Sequence, residues 1–182
     1  MGRWEPNAQG RLEQAALELY SERGFEQTTV AEIARRAGLT ERTFFRHFAD
    51  KREVLFGGAA QLQDFLVGAL ASAPDSAAPI DAVAAALLQE RYESARLRQA
   101  AIAANAELQE RETVKLATLS AALAGTLRER GVKEPAASLT ADAGIAVFRI
   151  AFEVWINDPA QRDLAHHIRE SFDELKAVTA GK

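Results

Sequence analysis

Apolar positions between residues 28 and 56 follow two short helical periods separated by a glycine. The first period places these residues on one helix face: Val30, Ile33, Ala34 and Ala37. Thr29 and Glu32 have the spacing of a capping box, which predicts that this helix begins at Val30. Gly38 predicts the turn after it, because glycine adopts the left-handed conformation that commonly ends a helix.

The second period predicts a short helix from Glu41 to Phe48, with Thr40 as its N-cap. At about 100° per residue, Phe44 and Phe48 fall within one narrow arc together with Glu41. The opposite arc is polar and basic and consists of Arg42, Thr43, Arg46 and His47. Such a helix is about 12 Å long, close to the width of the DNA major groove. Phe45 lies on the border between the two arcs.

Positive charge is concentrated around this segment. The whole chain has a formal net charge of −4, whereas residues 35–52 carry a net charge of +4. Phosphate backbones bind lysine and arginine, so the acidity of the whole chain does not argue against DNA binding. Helix-turn-helix geometry also occurs in proteins that never touch DNA, and a basic face is often only solvated. A helical small-molecule sensor or scaffold that does not bind DNA is therefore the alternative.

The segment resembles the TetR family of bacterial transcriptional regulators from about Arg11 to Phe56. The matching positions are Leu12, Ala15, Ala16, Leu19, Tyr20, Gly24-Phe25, Thr28-Thr29-Val30, Ile33-Ala34, Ala37-Gly38-Leu39, Thr43-Phe44-Phe45, His47-Phe48 and Lys51. The resemblance implies an all-α fold of about nine helices. It implies a three-helix DNA-binding domain at residues 1–50 and a larger ligand-binding and dimerisation domain at residues 51–182, connected by helix 4.

The resemblance also assigns contacts with DNA. Phosphates would be held by Thr28, Thr29, His47 and Lys51. We expect Arg42, Thr43 and Arg46 to read bases, because a guanidinium can donate to O6 and N7 of guanine together. The family usually has tyrosine at position 45, where its hydroxyl binds a phosphate. Phe45 can offer only packing against a sugar or a thymine methyl group.

The remaining two-thirds of the chain is also helical in pattern. Asp50 and Glu53 repeat the capping-box spacing and predict the start of helix 4. A linker is predicted at residues 72–79, where two prolines fall within eight residues. Further helices are expected near 80–95, 97–104, 105–130, 138–156 and 159–178, the last of them starting at Asp158-Pro159.

A ligand pocket would lie among helices 4 to 8. Its candidate lining residues are Phe65, Leu88, Tyr92, Ile102, Asn105, Leu119, Phe148, Phe152 and Trp155. Each of them also fits an ordinary core. Arg149 interrupts an apolar run, and it fits an ion pair with Glu153 or a neighbouring helix, or contact with an acidic ligand.

The eighth helix is apolar on two faces, one of which carries Val147, Ile150 and Val154. Such a helix is buried between two neighbours or packs one of them against another subunit. The resemblance implies a homodimer through the last two helices, while an ordinary intramolecular core explains the same residues. A short recognition helix makes few base contacts, which also favours two heads on two half-sites.

Several function classes lack support in the sequence. The chain has no cysteine, so it forms no disulfide and fits a reducing compartment. It shows no signal-peptide core, and no apolar stretch approaches the ~20 residues that span a bilayer, so we expect a cytoplasmic protein without a membrane partner. We find no catalytic constellation, metal-ligand cluster or cofactor motif, and expect no enzyme, metal or cofactor.

The expected function is a DNA-binding transcriptional regulator. By resemblance it is a repressor, released from a palindromic operator in double-stranded DNA by an unknown small-molecule effector.

Overall fold

The computed structural model describes residues 7–89 and 95–181. Within these ranges there is no strand, which confirms the predicted all-α class. The described helices are α1 Ala8–Arg23, α2 Val30–Arg36, α3 Glu41–His47, a 3₁₀ turn Glu53–Phe56, α4 Ala59–Ala71, α5 Pro79–Leu88, α6 Ala95–Ala103, α7 Ala106–Glu129, α8 Ala136–Ile156 and α9 Leu164–Thr179.

These helices form two compact units. The head unit contains the described residues up to 60 together with 95–114, and the second unit contains 61–89 with 115–181. The sequence-based boundary between residues 50 and 51 stays a prediction. Residues 95–114 are an addition to the head that the sequence pattern does not indicate.

The starts of α2 and α3 follow from their caps. Thr29 and Glu32 form the predicted capping box, because the Thr29 hydroxyl accepts from the Glu32 N–H at 3.3 Å and the Glu32 carboxylate accepts from the Thr29 N–H at 3.0 Å. The Thr40 hydroxyl accepts from the N–H of Thr43 at 3.2 Å. Gly38 has a φ of 67°, as the predicted turn requires.

The fourth helix begins later than predicted. The carboxylate of Asp50 accepts from the N–H groups of Arg52 and Glu53 at 2.8 and 3.3 Å, but the residue that precedes the following 3₁₀ turn is Arg52, and no side chain caps that turn. The α-helix α4 begins only at Ala59. The pair Gly57-Gly58 lies between them, and each glycine costs a helix interior about 1 kcal/mol relative to alanine.

One segment is apolar enough to qualify as a membrane span by length and composition, contrary to the expectation that no stretch approaches this length. It runs from Glu53 to Ala71, 19 residues with a mean hydropathy of 1.4. The structure divides it into the 3₁₀ turn and α4, whose 13 residues make an α-helix of about 20 Å. Because the hydrocarbon core of a bilayer is ~30 Å thick, the segment is weak evidence for a span.

In the second unit, α8 packs closely against α5 and α9. A Cβ atom on Gly144 of α8 would lie 2.5 Å from Cγ1 of Val83 on α5, so glycine permits this approach. Phe172 of α9 and Phe148 of α8 are buried. The two last helices therefore share a core within one chain.

The last helix begins at Leu164 rather than near 159, because Asp163 is its N-cap and accepts from the N–H of His166 at 2.7 Å. Asp158 instead organises the preceding loop. Its buried carboxylate accepts from Nε of Arg162 at 2.9 Å and lies 3.0 Å from Nε2 of the buried His167. The Arg162 side chain, with two backbone N–H groups, holds the pKa of Asp158 well below its usual range.

Candidate nucleic-acid interface

Helix α3 has a buried back and an exposed front, as its periodicity predicts. Phe44 and Phe48 are 0% and 5% exposed, whereas Phe45 is 56% exposed. The front carries Arg42, Thr43, Arg46 and His47, of which only Thr43 is half-buried. Across the described residues, Arg42 and Arg46 form no ion pair. The front of α3 therefore offers two guanidinium groups with their donors available.

The turn between α2 and α3 is held from α1. An Nη2 hydrogen of Arg11 is donated to the carbonyl of Ala37 at 2.5 Å. A Cβ atom at Gly38 would lie 2.8 Å from the same nitrogen. Arg11 therefore fixes the turn that orients α3 relative to α2.

Lys51 anchors the loop between α1 and α2, which differs from the phosphate contact expected for it. Its Nζ donates to the carbonyls of Phe25, Glu26 and Thr28 at 3.0, 3.4 and 3.2 Å. It also lies 4.1 Å from the centre of the Phe25 ring. An ammonium group has three hydrogens, so these carbonyls use its donors. We assign Lys51 to positioning the loop.

Tyr20 completes this anchor from α1. Its hydroxyl donates to the carbonyl of Lys51 at 2.7 Å. Burial, assisted by the nearby Asp50 carboxylate, raises the pKa of Tyr20 above its usual range. The hydroxyl therefore stays protonated and remains a donor.

The two threonines predicted to bind phosphate differ in exposure. Thr28 is 1% exposed, and its hydroxyl donates to the carbonyl of Gly24 at 2.8 Å. This burial argues against a phosphate contact from its side chain. Thr29 is exposed at the start of α2, where its hydroxyl also donates to Glu32 at 2.8 Å.

Two of the three charged residues of α2, Arg36 and Glu32, are paired within the head unit, whereas Arg35 is exposed and forms no ion pair across the described residues. Arg36 contacts the carboxylates of Glu18 and Glu22 at 3.3 and 2.8 Å. The bond from Arg36 lowers the pKa of Glu22 below its usual value. Glu32 is paired with Arg23 at 2.9 Å. Part of the basic charge of α2 is therefore neutralised by ion pairs with α1.

The described candidate pocket residues are divided between the two units. Ile102 is fully buried in the head core, and Asn105 lies at the α6–α7 corner of that unit. In the second unit Phe65 is exposed, Leu88 and Trp155 are half-buried, and the buried members are Leu119, Phe148 and Phe152. Tyr92 lies outside the described residues.

Arg149 takes the ion pair that the sequence offered as one of its options. It is exposed and contacts Glu153 at 3.1 Å, one turn further along α8. An open cleft of about 680 Å³ lies between α4 and α5 and includes Phe65 but none of the other pocket candidates. Within the described ranges, no three acidic or histidine side chains are placed to share a metal ion.

Two capped short helices joined at a glycine turn, with an apolar back and a basic front, define a helix-turn-helix protein. Residues 13–56 match the family model described as bacterial regulatory proteins, tetR family. TcmR of Streptomyces glaucescens, an HTH-type transcriptional regulator, is 38% identical over 76 residues, which are 42% of this chain and 34% of TcmR. The chain aligns with about a third of that relative's length.

Solved structures extend the likeness over most of the chain. A transcriptional regulator from Rhodococcus sp. Rha1 is 26% identical, with a TM-score of 0.56, over 91% of this chain and 94% of that one. SmeT, the repressor of the Stenotrophomonas maltophilia multidrug efflux pump SmeDEF, has been solved with triclosan. That complex is 18% identical, with a TM-score of 0.67 over 94% and 90% of the chains, and shows the fold alone. Over residues 13–56 the chain therefore matches the TetR family of bacterial regulatory proteins, and its fold is like that of solved transcriptional regulators over most of its length.

Proposed function

We propose that this chain regulates transcription by binding double-stranded DNA through the front of α3. The observation that carries the proposal is the pair of exposed arginines, Arg42 and Arg46, on a helix whose back is buried by Phe44 and Phe48. A guanidinium without an ion pair can bind phosphate or guanine without first breaking an existing ion pair. Thr29 and His47 are exposed beside this face and are the proposed phosphate contacts.

A homodimer is part of the proposal. Leu139, Ile150 and Val154 of α8 are 65%, 47% and 48% exposed, and their spacing places them on one side of the helix. Val178 of α9 is 60% exposed. A second copy could bury these apolar side chains, and the pair would then present two heads to a palindromic operator.

Release by a small molecule is proposed from the likeness of the fold to SmeT, a repressor solved with triclosan. An effector that prefers the conformer with low DNA affinity would shift the population away from the operator. Moving that balance from 1:99 to 99:1 takes about 5.5 kcal/mol of differential affinity. We accordingly propose a cytoplasmic repressor without catalytic activity.

Selection from a pool of randomised duplexes tests DNA binding and identifies the operator in one experiment. We expect enrichment of an inverted repeat. The logarithm of its association constant should fall linearly with the logarithm of salt concentration, with a slope of about −0.9 for each phosphate contact. A scrambled duplex of equal length is the control. Failure to enrich any sequence would favour the helical sensor or scaffold that does not bind DNA.

A further inference from the structure

The head unit is completed by residues far along the chain from the helix-turn-helix. Helix α6 packs on α1, and Ile102 and Leu108 are both 0% exposed in the same core as Leu12 and Phe56. Burial of these two branched apolar side chains stabilises this arrangement through the hydrophobic effect. The corner between α6 and α7 is therefore held firmly on the head.

Asn105 lies at this corner and uses both ends of its side-chain amide. Its oxygen accepts from the N–H groups of Glu107 and Leu108 at 3.0 and 3.3 Å, which caps α7. Its nitrogen donates to a carboxylate oxygen of Glu26 at 2.7 Å. One side chain thus joins the first turn of α7 to the loop between α1 and α2.

Glu26 belongs to the loop that leads into α2. Its own carbonyl accepts from Nζ of Lys51, as does the carbonyl of Thr28. Thr29, the residue after Thr28, is the N-cap of α2. The position of this loop therefore sets where α2 begins, and α3 follows α2 through the turn at Gly38.

We propose that Asn105 is a positioning residue for DNA binding, acting through its hydrogen bond to Glu26. The bond holds the loop before α2 in the geometry in which the exposed start of α2 and the front of α3 face the same duplex. This inference rests on the proposed DNA-binding function. Asn105 itself makes no contact with DNA in this arrangement, although the sequence pattern suggested it as a pocket residue.

The substitution Asn105→Asp separates the two jobs of the side chain. Aspartate caps a helix as well as asparagine does, so α7 keeps its N-cap. The new carboxylate cannot donate to Glu26 and repels it. We expect about five-fold weaker binding of the duplex selected by the unaltered chain, as for loss of one ordinary solvent-exposed hydrogen bond, with the melting temperature nearly unchanged.

Rescue distinguishes positioning from general damage. Adding Glu26→Gln to Asn105→Asp restores a donor facing an acceptor, and should return affinity to within about two-fold of the unaltered chain. Asn157→Asp in the second unit makes the same change of charge at an exposed asparagine and should leave affinity unchanged. Glu26→Ala is a second route to the same loss, and we expect it to weaken binding about as much as Asn105→Asp.

The outcomes separate this inference from the function on which it rests. If the unaltered chain selects no duplex, the proposed DNA-binding function fails. If it selects one, and either Glu26→Ala or Asn105→Asp binds that duplex like the unaltered chain, the positioning role is overturned. The same holds if Glu26→Gln gives no rescue.

Discussion

Helices α2 and α3 are nearly matched in sequence terms but differ in how their charges are used. Each has seven residues, a threonine N-cap and two arginines. In α2, Arg36 is paired with Glu18 and Glu22 of α1. In α3, Arg42 and Arg46 are exposed and form no ion pair across the described residues.

The difference indicates that the arginines of this motif have two different roles, one structural and one suited to binding DNA. An arginine that already holds two carboxylates must give up those contacts before it can bind phosphate. An exposed, unpaired arginine exchanges only water and counterions. In the proposed function, Arg36 of α2 therefore supports the motif, and the front of α3 supplies unpaired guanidinium groups for the duplex.

The largest expected effect is at the centre of the α3 front. Arg46→Ala should weaken binding of the selected duplex by about 1–3 kcal/mol, or roughly 5- to 150-fold, because a guanidinium contact with DNA is lost. The matched control is Arg36→Ala on α2, which should change affinity much less. Fluorescence anisotropy titrations with one labelled duplex measure both. Equal losses for the two variants would contradict the division between α2 and α3.

A variant at Lys51 tests whether this residue positions the loop or contacts a DNA phosphate. Lys51→Ala should lower the free energy of unfolding by about 1–2 kcal/mol, because three carbonyls lose a charged donor. It should weaken binding of all duplexes while leaving the salt slope unchanged. A phosphate contact would instead reduce the slope by about 0.9. Thermal melts and titrations at several salt concentrations distinguish the two roles.

A smaller effect is expected at the edge of the α3 front. Phe45 is 56% exposed and packs edge-on against Phe44, with ring centres 5.5 Å apart. Phe45→Tyr adds a hydroxyl to this exposed ring and should tighten DNA binding by about 0.5–1.5 kcal/mol through a new phosphate contact. Phe45→Leu, which adds no donor, is the control. If the tyrosine variant binds DNA with unchanged affinity, the ring at position 45 does not lie next to the phosphate backbone of the DNA.

The smallest effect concerns the caps and depends on pH. Hydrogen bonds from Thr29, with Arg23, hold the pKa of Glu32 below its usual value. A lowered folded-state pKa contributes stability above the unfolded value of about 4.3, and this is lost as pH falls through the folded pKa. Amide exchange, corrected for its intrinsic pH dependence, should lose protection in α2 before α3 on acidification. Glu32→Gln keeps a neutral capping box and should remove this difference.

Local features of the head could be predicted because their causes lie within a few residues. The starts of α2 and α3 follow from threonines and the residues three positions later, and the buried face of α3 follows from Phe44 and Phe48. The role of Lys51 could not be predicted in this way, because its acceptors lie 23 to 26 residues away.

Tertiary packing also explains where the structure places residues differently from the sequence-based expectation. Ile102 is buried in the head because α6 packs against α1, although the two helices lie far apart in the sequence. Its apolar character alone does not say which core it joins. Helix α9 begins later than predicted, because the buried Asp158 binds Arg162 and lies beside His167 instead of capping a helix directly. Of the second apolar row predicted on α8, Ile150 and Val154 are exposed, whereas Val147 is buried.

The most direct measurement of the division between α2 and α3 is the NMR spectrum of the arginine Nε–H groups during titration with the selected duplex. We expect the signals of Arg42 and Arg46 to shift and slow their exchange with water as the duplex is added. The signal of Arg36 should keep the position set by its pairs with Glu18 and Glu22. Shifts at Arg36 with none at Arg42 and Arg46 would show that the DNA lies on α2, and would contradict the assignment of α3 as the reading surface.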